Sequence, residues 1–284
     1  MISSLNEHFK IPVSQLCSLF KVSRSSYYYS KNIVYSKKYI NDSELKNELN
    51  SLYNKHQGVY GYRRLAIEYN RNNTNYVNVK RVHRLCQQMN LQAKIRLKRR
   101  YTKGKKEYIS ENILSQNFYA SKPAEKWVID ITQANVDNKK HYLCAVMDLF
   151  NREVVGYSIG ENETTELVKK ALIESFSNTK EATNTLIHSD QGSQFTSIIY
   201  KDLLREHNSI QSHSRAGNCL DNAMIENFFS HLKSEFLYNN KIKSKEMLYE
   251  GINKYIFYYN NIRIQNKTKM TPLEIKEVYL NNKI

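Results

Sequence analysis

No run of about 18 or more apolar residues occurs in the chain, so no segment is expected to span a membrane. The opening residues, MISSLNEHFKIPVS, lack the charged-then-apolar pattern of a secretory signal, which points to a cytoplasmic protein. Cysteine is scarce: Cys17, Cys86, Cys144 and Cys219 lie far apart and form no CxxC pair. That argues against a disulfide scaffold and against a cysteine-built zinc site. Isolated cysteines among apolar neighbours read as core residues. Eight histidines are present, but no HxxxH pair stands near a CxxC.

Acid is scarce too, and unevenly so. Residues 1–120 hold 22 Lys and Arg against 7 Asp and Glu, an excess of 15, whereas residues 121–284 hold 21 against 20. Nearly all of the net charge of +16 therefore sits in the first 120 residues. A segregated basic half is the footprint of a polyanion partner.

Residues 11–30, IPVSQLCSLFKVSRSSYYYS, have the spacing of a short helix, a tight turn and a second helix opened by a serine cap. A helix is expected over 42–56, capped by Asp42 or Ser43, with Leu45, Leu49 and Leu52 along one face. Further helices are expected near 62–71 and 78–89. In the latter, Val79, Val82, Leu85, Cys86 and Met89 form the apolar side, leaving Lys80, Arg81 and Arg84 for phosphates. Residues 94–106, KIRLKRRYTKGKK, carry eight Lys or Arg in thirteen positions, Lys98, Arg99 and Arg100 among them, and read as a basic linker along a phosphate backbone.

The character changes near residue 122. KWVIDITQANV, KHYLCAVMDLF and EVVGYSIG, separated by short turns, predict an antiparallel three-strand meander. A helix near 164–177, a strand TLIHSD, a helix near 195–207, a strand SIQSHS and a long helix over 220–239 follow. The order βββαβαβα gives an α/β fold, a mixed sheet with flanking helices. The expected organisation is a helix-turn-helix at 1–35, a second with the basic linker at 40–110, a catalytic core at 120–240 and a helical tail at 241–284. The tail's last helix should open at Thr271-Pro272.

Three acids stand out by position. Asp130 interrupts an apolar strand, where a charge is costly unless paired or bound to a cation. Asp190 ends the fourth strand, where ligands gather in open α/β sheets. Glu226 lies on the last long helix, whose residues Ile225, Phe229, Leu232 and Phe236 form an apolar side. Asn222, Glu226, Ser230 and Lys233 form a neighbouring polar strip. Three converging carboxylates repel, and a divalent cation removes that cost. All-oxygen ligation suits Mg²⁺ or Mn²⁺, and two such ions would serve an in-line displacement at phosphorus. His188 and His213 lie at strand ends near these acids, as DNA contacts or as strand packing.

At WVIDIT, HSDQGSQFTS and SRAGNCLDNAMIENFFSHLKSE the sequence resembles the second-frame transposase (OrfB) of the IS3 family of bacterial insertion sequences. Thirty-five residues separate Asp190 from Glu226, the spacing of the D,D-35-E group shared with retroviral integrases. YGYRR with VNVKRVHRL resembles the family's second helix-turn-helix, and YYNNIRIQNKTKMTPLEI its C-terminal signature. The resemblance implies an RNase H-like core and two Mg²⁺ ions held by Asp130, Asp190 and Glu226. It also implies a partner from an upstream frame (OrfA), often a frameshift fusion, and oligomers on double-stranded DNA. Lys233 stands where the family has a basic residue, and with Asn222, Arg63 and Arg64 it joins the candidate DNA contacts. Other readings are a nuclease on the same frame, a non-catalytic regulator using its helix-turn-helix units, and an oligomer-forming structural domain.

Overall fold

The computed structural model describes residues 2–33, 37–94, 112–180, 182–214 and 219–282. The chain divides into two compact units, Met1–Ala93 and Lys94–Ile284. Among the described residues no helix is long and apolar enough to cross a membrane.

The first unit is all helical: α1 (Ile2–Phe9), α2 (Val13–Leu19), α3 (Arg24–Ile33), α4 (Lys37–Lys55), α5 (Tyr62–Asn72) and α6 (Val79–Gln88). The expected serine cap is Ser23, whose Oγ accepts the Ser26 N–H at 3.0 Å and so satisfies a donor that α3 leaves open. Asn78 does the same for α6 through the Lys80 N–H. Leu45, Leu49, Leu65, Val82, Leu85 and Cys86 are buried between α4, α5 and α6. The helix expected to begin at Asp42 or Ser43 begins earlier, at Lys37. Asp42 is no cap: it takes Arg81 at 2.6 Å and Arg84 at 2.8 Å, tying α4 to α6.

In the second unit β1 (Lys126–Val136), β2 (Lys139–Asp148) and β3 (Val154–Gly160) form the expected antiparallel meander. Asp137 and Asn138, at φ 50° and 58°, make the two-residue turn between β1 and β2, where positive φ matches the strand twist. After α7 (Thr165–Asn178), β4 (Leu186–Ser189) pairs parallel with β1. Next come α8 (Ser193–Thr196), α9 (Ile198–Glu206) and β5 (Ile210–His213), parallel to β4, so the strand order is β3-β2-β1-β4-β5. The single helix expected near 195–207 is broken at Ser197, whose hydroxyl caps α9 through the Tyr200 N–H. The long helix expected over 220–239 comes in three pieces: a 3₁₀ turn (Cys219–Asn222), α10 (Ala223–Leu232) and a π turn (Lys233–Leu237). Then come α11 (Lys245–Asn261) and α12 (Pro272–Asn281), the latter opened by a Thr271–Glu274 capping box.

Side-chain alternation along β1 sorts its residues onto two cores. Trp127 and Ile129 pack with Val168, Leu172 and Tyr200 beneath α7 and α9. Val128 and Val136 pack on the other face with Ile225, Phe229, Leu232, Ile252 and Ile256 of α10 and α11. By the same period Asp130 faces α10.

Candidate active site

Asp130 is half-buried in the middle of β1. Its Oδ1 accepts the Ile131 N–H at 2.8 Å. Burial first, then Asp190, and further Glu226 push its carboxyl up to about 8, against the downward pull of the Ile131 N–H and the Lys233 ammonium. One group thus feels the charges of both other carboxylates and of the lysine, which come from the β4 end, α10 and the π turn.

Asp190 follows β4 directly and is exposed. Its Oδ1 accepts the Gly192 N–H at 2.9 Å. A Cβ on Gly192 would stand 3.0 Å from that oxygen, so glycine keeps the carboxylate in its turn. The carbonyl of Asp190 accepts a hydrogen bond from Ser189 Oγ at 3.0 Å and lies 2.9 Å from His213 Nδ1. Glu226 sits in the first turn of α10, half-buried. Asn222, one step before that helix, is 4% exposed, and its amide donates to the Ile129 carbonyl at 3.3 Å. This residue was expected to face DNA; burial instead makes it a brace between α10 and β1 beside Asp130.

His188 and His213 are both packed, at 0% and 3% exposure. Ser212 Oγ accepts the Ile113 and Leu114 N–H groups at 3.0 and 3.1 Å, so its own proton points to His188 Nδ1 at 2.8 Å. Burial pushes the His188 imidazole down to about 4, keeping it neutral.

Sequence reasoning missed three polar groups. Asp148 lies in β2 in an apolar setting like that of Asp130, in AVMDLF. It is satisfied by Ala124 N–H at 2.7 Å, Phe150 N–H at 2.8 Å and Trp127 Nε1 at 3.3 Å, and burial pushes it up to about 6. Asp221, fully buried, accepts from Asn112 at 2.7 Å and Gln116 at 2.8 Å. Glu235 of the π turn takes Arg263 through two hydrogen bonds, at 2.8 and 2.6 Å, and Tyr255 Oη at 2.8 Å. Only Asp148 carried a signal, an acid inside an apolar strand.

The donor set fits a hard divalent cation: all-oxygen, and including an acid whose proton is retained near neutrality by burial and by the charges of Asp190 and Glu226. Among the described residues, no three His, Cys, Asp or Glu side chains are close enough to clasp an ion as they stand.

In the first unit Lys80 and Arg63 are exposed. Arg63 and Arg64 lie over the rings of Tyr62 and Tyr60, at 5.7 and 5.6 Å. Arg81 and Arg84, expected to be open to phosphates, share the Asp42 carboxylate. Lys98, Arg99 and Arg100 lie outside the described residues.

A helical unit followed in the chain by a five-stranded mixed sheet with flanking helices is the order of an integrase core preceded by a helix-turn-helix-like domain. An HTH-like domain model matches residues 41–99, and two Integrase core domain models match 120–219 and 226–280. The chain is 37% identical over 268 residues to the putative transposase InsK for insertion sequence element IS150 of Escherichia coli, covering 93% of each chain. It is 31% identical to the insertion element IS600 uncharacterized 31 kDa protein of Shigella sonnei, over 93% of this chain and 98% of that one. To the transposase InsF for insertion sequence IS3A of Escherichia coli it is 38% identical over 52% of this chain and 51% of that one. Among solved structures it is similar to the HTLV-2 integrase catalytic core domain, at 19% identity and TM-score 0.46, over 56% of this chain and 99% of that one. The chain belongs to the IS3-family OrfB transposases.

Proposed function

We propose that this transposase cuts DNA and joins strands with Asp130, Asp190 and Glu226, which hold two Mg²⁺ ions, replaceable by Mn²⁺. The observation that carries the reading is the strain at Asp130. It is a strand acid raised to about 8 by burial, Asp190 and Glu226, offset only in part by one main-chain hydrogen bond and the charge of Lys233. An acid kept for structure alone is satisfied as Asp148 is. Bound cations would supply Lewis-acid activation of the attacking oxygen and neutralise the leaving one. The protein's part is positional. Gly192 keeps the Asp190 carboxylate in its turn. Asn222 ties the start of α10, the helix that carries Glu226, to β1 beside Asp130. Lys233 holds the phosphate backbone of the DNA end.

Arg63, Arg64, Lys80 and the linker residues Lys98, Arg99 and Arg100 grip the duplex backbone. Arg81 and Arg84 also belong to this surface and would exchange Asp42 for phosphate only in part. The working form is an oligomer on DNA, alone or with an upstream-frame protein. The test is cutting and strand transfer on DNA ends of the encoding element. Asp130→Asn, Asp190→Asn and Glu226→Gln should each abolish both reactions and leave DNA binding in place, as should a chelator. Full cutting by any one variant removes that residue from the site. Cutting by the parent without joining favours a nuclease.

A further inference from the structure

A cleft of about 470 Å³ adjoins the distal half of β1 and the π turn, and Lys233 forms part of its wall. That volume is within the usual range of small-ligand sites, roughly 300–1,000 Å³. The triad makes no use of it, and three features define its chemistry.

The first is an open strand edge. β2 runs along one side of β1 from Trp127 to Val136, but among the described residues the other side is paired only with β4, through Lys126, Trp127 and Val128. In a strand with an antiparallel partner, the N–H and C=O of one residue point to the same side, and those of the next residue to the opposite side. The Ile129 carbonyl faces the open side, where it takes the Asn222 amide. The two-residue period therefore turns the main-chain groups of Gln133 and Asn135, both cleft residues, toward the open side as well. The second feature is Tyr238, 59% exposed at the end of the π turn and also in the cleft wall. The third is Lys233, whose charge acts on Asp130 and which also lines the cleft.

A row of alternating donors and acceptors, an exposed aromatic ring and one cation match the edge of a base, its face and its phosphate. We infer that the cleft receives a single unstacked nucleotide of the DNA strand whose phosphate lies at the triad. Its base edge bonds to the main chain at Gln133 and Asn135, its base face stacks on Tyr238, and its phosphate meets Lys233. A peptide adding to the same edge would have no need of the ring or the cation. The inference rests on the strand-transfer reading and adds to it a place for one base.

The experiment uses the full chain and duplexes carrying 2-aminopurine, a base that brightens on unstacking. The label is placed at successive positions around the cut site, in the element's end in one series and in the target duplex in another. Fluorescence is read on binding in chelator, and cutting is scored in parallel with Mg²⁺. One position should brighten several-fold with the parent and with Tyr238→Phe, and the series in which it falls assigns the strand. Tyr238→Ala should return it to the stacked level and weaken binding roughly five- to hundredfold, the range for loss of one base–aromatic stack. If the parent cuts but no position brightens, or if Tyr238→Ala brightens as the parent does, the cleft is not a nucleotide site and the catalytic reading stands. If the parent does not cut, the catalytic reading fails; brightening that depends on Tyr238 would then still support the cleft.

Discussion

Asp130 and Asp148 look alike in sequence, each an acid within an apolar strand, and the fold separates them by their partners. Three N–H donors surround Asp148, whereas two carboxylates crowd Asp130. The sequence made the position of Asp130 legible but could not show which acid is satisfied, because the donors come from a neighbouring loop and an indole. Folded Asp130 titrates near 8, against 3.8 for an ordinary aspartate, so between these values the folded chain keeps a proton that the unfolded chain has released. Its contribution therefore favours folding most below about 4 and is lost as pH rises through about 8. Asp130→Asn should flatten that slope and raise Tm by roughly 2–6 °C at pH 7.5 in chelator, read by calorimetry. Mg²⁺ should raise the Tm of the parent more at pH 8 than at pH 6, and that of the variant little at either. A lower Tm in Asp130→Asn would contradict the crowding. At Gly192 the added methyl of alanine would press on the Asp190 carboxylate. Gly192→Ala should cut strand transfer about tenfold or more with Tm nearly unchanged; unaltered rates would show that the turn tolerates the shift.

The element that decides the site is the run from α10 through the π turn. Its apolar side was legible: Ile225, Phe229 and Leu232 are buried as their spacing predicts. The change of winding at Lys233 was not, and the residues that hold the π turn come from distant parts of the chain. Arg263, beyond α11, holds Glu235 of the π turn, and a Cβ on Gly251 of α11 would stand 2.1 Å from Phe236. Removing one partner of a buried ion pair strands the other charge. Arg263→Ala should therefore cost about 3–5 kcal/mol in urea unfolding. Replacing both Arg263 and Glu235 by methionine should recover most of that loss. A double variant as unstable as the single one would show that the pair acts through more than its charge.

For the molecule as a whole, the uneven charge is the most legible property. Each phosphate neutralised on duplex DNA steepens the plot of log affinity against log salt by about 0.9. The full chain should therefore bind DNA with a steep slope, which Lys233→Ala lowers by about 1 and Asp130→Asn leaves unchanged. Equal slopes for parent and Lys233→Ala would remove that residue from the phosphate contacts. Composition placed the basic half correctly but could not show that Arg81 and Arg84 already share an acid, since Asp42 lies about forty residues earlier in the chain. The order of the five strands was legible, because short turns separate β1, β2 and β3 and helical periods separate β4 and β5; α1 was not, nor were the breaks at Ser197 and around α10.

The pairing of Trp127 with Asp148 across β1 and β2 places the two strand acids three positions apart along the same ladder. A genetic screen for elements that no longer hop would therefore return both as dead alleles, inviting the count of a fourth essential acid, although an odd spacing puts the two on opposite faces of the sheet. The two should part in their dominance. An Asp130 allele remains folded and able to occupy DNA ends, so it should poison a wild-type copy in the same cell. An Asp148 allele loses the donors' common acceptor and unfolds, so it should be recessive.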